Sequence, residues 1–158
     1  MNASYVLLLA FGIGIVAGLR SLTAPAVVAW AVRLGWLNLY NSALSFLGST
    51  ATVVIFTILA LVELVADQLP STPARTKAVG LIARIVLGGL SGAAVAVAGG
   101  QSLSIGGILG AAAGVIGAFA GYQVRTGLVR ALKVPDIVIA LIEDLVAIGG
   151  ALLIVTRF

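Results

Sequence analysis

Residues 85–124 read IVLGGLSGAAVAVAGGQSLSIGGILGAAAGVIGAFAGYQV, 40 consecutive positions without a charged side chain. The hydrocarbon core of a bilayer is about 30 Å thick and takes about 20 helical residues. The stretch is therefore too long for one crossing and the right length for two, with Gly99-Gly100-Gln101-Ser102 as the turn between them. On the amino-terminal side the first of the two helices reaches back past Arg84 to about Ala78. The second runs from Ile105 to Val124 and stops before Arg125, Arg130 and Lys133.

The rest of the chain has the same character. Of 158 residues 61% are hydrophobic and 9% charged, and the mean hydropathy is +1.24. Soluble domains carry about a quarter charged residues, so an ordinary globular domain, a disordered chain and a secreted disulfide scaffold are all excluded. Cysteine and histidine are absent. That removes disulfides, zinc and iron–sulfur sites, thiol nucleophiles, Ser-His catalysis and histidine proton relays. The basic pI does not indicate nucleic acid, because no basic cluster is interleaved with aromatics; the excess charge reads as loop lysines and arginines that orient the chain in a membrane. Nothing points to a nucleotide, flavin or haem, and no cofactor is expected.

The expected fold is all-α: one polytopic bundle over residues 1–158, with about five transmembrane helices at 3–19, 50–66, 78–98, 105–124 and 137–155. Met1–Leu19 has neither the basic start nor the cleavage site of a signal peptide. Residues 24–37 are apolar but short, interrupted by Arg33, and they hold Trp30 and Trp36, with Tyr40 just beyond. Such aromatics favour the membrane interface, and Pro25 suits a first helical turn, so a short interfacial or re-entrant helix is expected. Gln68–Pro73 reads as a loop, closed by Arg75 and Lys77. With five spans, Arg75, Lys77, Arg125, Arg130 and Lys133 share a side with the amino terminus, against Arg20, Arg33 and Arg157 opposite. This puts the amino terminus inside and the carboxy terminus outside; if 24–37 crosses, both termini lie outside.

Gly14–Gly18 resembles Gly117–Gly121, and Ala60–Glu63 resembles Ala140–Glu143. A two-helix unit repeated around a lone third span would be inverted, as in many transporters. Against it, inversion should put Glu63 and Glu143 at opposite depths, and the spans put both near one side. Gly106, Gly110, Gly114, Gly117 and Gly121 form one stripe down a helix, with counterparts at Gly88, Gly89 and Gly92 and at Gly12, Gly14 and Gly18. Small residues let helices in lipid approach closely. The stripe serves packing within the chain, or else a homo-oligomer seam or a path whose width the glycines set. Five spans enclose little volume, which favours an oligomer, a dimer first.

Intramembrane charges cost from about 2.5 to over 10 kcal/mol each, so they need a partner or a task. Glu63, Arg84 and the Glu143-Asp144 pair qualify, with Asp67 on the helical face of Glu63. Glu143 and Asp144 point about 100° apart and cannot share one neighbour. Structurally, Arg84 would neutralise Glu63 or Glu143. The acids outnumber it, which leaves a carboxyl for a proton or a cation held by oxygen ligands. Arg20, in Gly18-Leu-Arg20-Ser-Leu-Thr23-Ala-Pro25, reads as an interfacial arginine or as an anion or headgroup contact beside a helix start.

Gly18-Leu-Arg20 with Thr23-Ala-Pro25, Glu63-Leu-Val-Ala-Asp67-Gln-Leu-Pro70, Arg84 before glycines and the late Glu143-Asp144 span together resemble a bacterial inner-membrane family of unknown function over nearly the whole chain. The resemblance implies a compact membrane fold and carries no activity. The Glu-x-x-x-Asp pattern is also loosely similar to the acidic motif of small cation exchangers, but Ala66 and Gln68 stand where those have Gly and Lys. The leading functional expectation is a transporter or channel for an ion or small solute. Glu63 and Glu143 would be ligands, Asp67 and Asp144 the entrance and Arg84 the counter-charge. The alternative is a non-transporting lipid-binding or accessory protein. An enzyme is not expected, because the motifs of intramembrane aspartyl proteases and phosphatidyl-transferases are missing.

Overall fold

The structure is a computed structural model that describes residues 1–67 and 77–158. Its described residues form six α-helices: α1 (Ala3–Leu19), α2 (Thr23–Arg33), α3 (Thr50–Ala66), α4 (Ala78–Ala98), α5 (Leu103–Leu132) and α6 (Asp136–Val155), with a 3-10 turn at Ser45–Gly48. No strand occurs among the described residues. Helices α4, α5 and α6 are long and apolar enough to cross a membrane; α1 and α3 are shorter apolar helices of 17 residues.

Local chemistry sets the ends. Asn2 caps α1 by accepting from the Ser4 amide, and Ser49 caps α3 by accepting from the Thr52 amide, as side-chain oxygens do at helix starts. Gly35 and Gly100 take φ of +80° and +73°, a region that glycine enters without strain, and there the chain turns out of α2 and between α4 and α5.

Two boundaries differ from the sequence expectation. Helix α5 does not stop at Val124. It continues to Leu132, so Arg125 and Arg130 lie on a helix rather than in a loop. Arginine, leucine and alanine are good helix formers, and a charge ends a hydrophobic run without ending a helix. The second is α2, expected over 24–37 as an interfacial or re-entrant helix. It ends at Arg33, and Thr23, Ala24, Pro25, Ala26, Val28, Ala29 and Ala31 are buried. It is a half-length helix inside the bundle. The expected loop at Gln68–Pro73 and Arg75 falls outside the described residues.

The centre is the triplet α1, α4 and α5. A Cβ on Gly18 would lie 2.6 Å from both Gly114 O and Gly117 Cα. On Gly92 it would lie 2.6 Å from Gly106 O, and on Gly114 2.6 Å from Arg84 O. No side chain fits such gaps, so the α5 stripe is spent on packing within the chain. The ascending match of Gly14 with Gly110 and Gly18 with Gly114 makes α1 and α5 parallel. The descending match of Gly92 with Gly106 and Gly88 with Gly110 makes α4 antiparallel to α5. Parallel α1 and α5 contradict the inverted repeat, which requires its copies to run oppositely; the likeness of their glycines reflects a shared need for close approach.

Val6 packs on Gly99, and Ile154 on Gly12. The start of α1 and the ends of α4 and α6 thus share one end of the bundle, and Lys77, Arg125 and Asp136 lie toward the other. Helix α2 returns toward the Val6 end, where Leu37, Leu39 and Leu47 join one core with Ala93–Ala96, Ala151 and Val155. Helix α3 then descends against α2, with Gly48 on Val32 and Trp30 Nε1 donating to Thr57 Oγ1 at 3.0 Å.

Candidate polar centre at the break between α1 and α2

A helix that stops and another that starts inside a bundle leave carbonyls and amides that need partners. At Gly18–Thr23 each set is met by a charged side chain. Arg84 Nε donates to Gly18 O at 3.0 Å, and its second nitrogen donates to Gly80 O at 2.9 Å. The Glu63 carboxylate accepts from the Ser21 amide at 2.8 Å, from Ser21 Oγ at 2.5 Å and from the Leu22 amide at 2.8 Å. It therefore caps the start of α2 as an anion on a helix amino terminus, a favourable place for negative charge.

Arg20 sits between these groups and is fully buried. It is ion-paired to Asp67 at the end of α3 and to Asp144 of α6, the latter at 2.5 Å. One guanidinium thus bridges two helices on either side of the α1–α2 corner. Asp67 and Asp144 keep 17% and 10% of their side chains exposed, so the cluster reaches toward the surface only through its acids. Nearby, Arg20 Nε and Thr23 Oγ1 are buried without a hydrogen-bond partner among the described residues, as is Ser91 Oγ on α4.

The depth follows from helix rise. Arg84 is six residues into α4 and Asp144 eight residues beyond Asp136, so at 1.5 Å per residue both lie roughly 9–12 Å inside the Lys77 end. Closer to that end, Arg125 Nε donates to Asp136 Oδ1 at 2.9 Å, and Glu143 Oε2 lies 3.5 Å from the same guanidinium.

Of the residues singled out from the sequence, Arg20, Glu63, Asp67, Arg84 and Asp144 meet at this corner, while Glu143 turns to Arg125. Arg20 is enclosed between Asp67 and Asp144. Glu63 meets the Ser21 and Leu22 amides, and Arg84 meets the Gly18 carbonyl. Among the described residues no group of three metal-binding side chains forms. Ser21, Thr23, Ser91 and Arg125 were not singled out. The signal for the first two was present: Pro25 marks a helix start only five residues after Arg20, and a buried start requires an acceptor.

The sequence profile of a family described as a domain of unknown function, DUF4126, matches residues 7–157. The chain belongs to this family. The matched region takes in every residue of the polar centre, so the Arg20 cluster lies within the DUF4126 domain rather than in an appendage to it. Neither the curated proteins nor the solved structures contain a match to the chain.

Proposed function

We propose that this DUF4126 protein is a small integral membrane carrier or channel for an ion or small solute, with the Arg20 cluster as its polar centre. The reading rests on one observation: a buried charged layer at a helix break, inside an apolar bundle. Irregular backbone at membrane depth is tolerated where it is enclosed in protein or lines a cavity, and broken helices of this kind form substrate and ion sites in transporters. Among the described residues, Arg20 and Arg84 stand with Glu63, Asp67 and Asp144 in this layer, and acids inside a membrane bundle mark ion and proton pathways.

In this reading α1, α3, α4, α5 and α6 cross and α2 returns part of the way, so both termini lie on one side. Lys77, Arg125, Arg130 and Lys133 lie at one end and Arg33 and Arg157 at the other, a bias that supports the Lys77 end as the cytoplasmic side of a bacterial inner membrane. A dimer would have to use a face other than the α5 glycine stripe.

The test is flux. Purified protein in liposomes under an imposed proton gradient, with varied salts, is expected to move protons or a cation. Asp67→Asn and Glu63→Gln are expected to abolish that flux while the thermal unfolding midpoint in detergent shows the protein folded. A second reading, a non-transporting accessory or lipid-binding protein, is favoured by the carboxylates being held by arginines and amides. It predicts no flux in any salt from folded wild type, and substitutions that change stability alone.

A further inference from the structure

The cleft at the Val6 end of the bundle, between the end of α2 and the start of α3, is independent of the polar centre. It has a volume of about 310 Å³ and is lined by Arg33, Tyr40, Ser45 and Ser49 over Leu37 and Leu39. Arg33 ends α2, is exposed, and forms no ion pair among the described residues. The Tyr40 and Ser45 hydroxyls are likewise without a hydrogen bond there. All five acidic residues of the chain, Glu63, Asp67, Asp136, Glu143 and Asp144, lie in the half of the bundle nearer Lys77. Arg20, Arg84 and Arg125 each meet a carboxylate or a carbonyl; Arg33 instead lines a cleft with hydroxyl donors and no acid.

The surroundings fix the depth. Tyr40 lines the cleft, and Trp30, Trp36 and Phe46, exposed on the segments that form it, include both tryptophans of the chain. Tryptophan and tyrosine gather at headgroup level, where one part of the ring system is apolar and the other wet. Leu34, also exposed, extends the apolar rim. A ligand here needs an anionic oxygen cluster for Arg33 and the hydroxyls, and an apolar portion to lie against Leu34 and the rings.

We propose that this cleft binds the phosphate of an anionic phospholipid headgroup, with Arg33 as the charged contact and Tyr40 and Ser45 as hydroxyl donors. A planar guanidinium takes phosphate oxygens two at a time, and the acyl chains lie along the exposed apolar side chains of α2 and α3.

The two tryptophans make the test direct. The full chain is reconstituted in phosphatidylcholine vesicles with a minor fraction of either dibrominated phosphatidylglycerol or dibrominated phosphatidylcholine, and tryptophan quenching is compared. Wild type is expected to be quenched preferentially by the anionic lipid, with a relative affinity of about fivefold, the factor for one basic residue at an anionic surface. Arg33→Gln is expected to lose that preference and Arg33→Lys to keep part of it. Arg157→Gln, at the same end but outside the cleft, is expected to keep it in full. Arg33 is exposed, so its substitution leaves the fold intact. Equal quenching by the two lipids in wild type overturns the proposal, as does a preference that survives Arg33→Gln. Loss of the preference in inorganic phosphate, with none in sodium chloride of equal ionic strength, also overturns it, in favour of a site for a soluble anion.

Discussion

Arg20→Met is expected to destabilise the protein by about 3–5 kcal/mol, the cost of removing one partner from a buried ion pair. The size follows from what is left behind. Asp67 and Asp144 converge on this guanidinium, at a corner where Arg20 is fully buried. Without it two carboxylates from different helices face each other across the α1–α2 break. Arg20→Lys is expected to recover only part of the loss, because an ammonium cannot span two carboxylates as a planar guanidinium does. Adding Asp67→Asn and Asp144→Asn to Arg20→Met is expected to restore most of it, since neutral amides need no counter-charge. Thermal unfolding in mild detergent measures all three. A midpoint for Arg20→Met equal to that of wild type removes Arg20 as the link between α3 and α6.

Gly18→Leu is expected to be as damaging by a different route. A Cβ there lies 2.6 Å from the Gly114 carbonyl oxygen and from Gly117 Cα, which is backbone and cannot step aside. Overpacking costs about 1–3 kcal/mol and sometimes more. Here two helices must part along their length, so the upper end, about 3 kcal/mol or more, is expected. Gly127→Leu and Gly149→Leu are the controls, because a Cβ at either position has nothing within 4 Å; both are expected to leave the unfolding midpoint within the scatter of wild type. If Gly18→Leu behaves like them, α1 and α5 are not in the contact described.

The helices themselves were readable from the sequence. The limits of α1, α3 and α4 follow from apolar runs that end at Arg20, Asp67 and Gly99, and in lipid an apolar run has little to become but a helix. The end of α5 is not readable, because Arg125 ends the apolar run yet is one more helical residue, with Asp136 beside it. The pairing of charges was also hidden. Composition showed that Glu63, Arg84 and Asp144 needed partners, but hydropathy carries no information on which side chain answers which. The bonds that matter most run to backbone groups: Glu63 to the Ser21 and Leu22 amides, Arg84 to the Gly18 carbonyl. Backbone groups are invisible in a list of charges until a helix break is recognised. Arg20 was misplaced for the same reason. At the end of a first apolar run it looks like any interfacial arginine, and only the return of α2 encloses it.

The wide sequence separation of these contacts bears on how the chain is made. Helix α1 emerges from the ribosome well before its partners: its glycine face has no counterpart until α5 follows, and Arg20 has no Asp144 until nearly half of α6 is synthesised. At about 5–20 residues per second that interval is roughly ten seconds. During it Arg20 has only Asp67, at the end of α3, of its two carboxylates. The corner at Arg20 is therefore provisional until α6 follows, and a helix made well after α1 is the one that locks α1 in place.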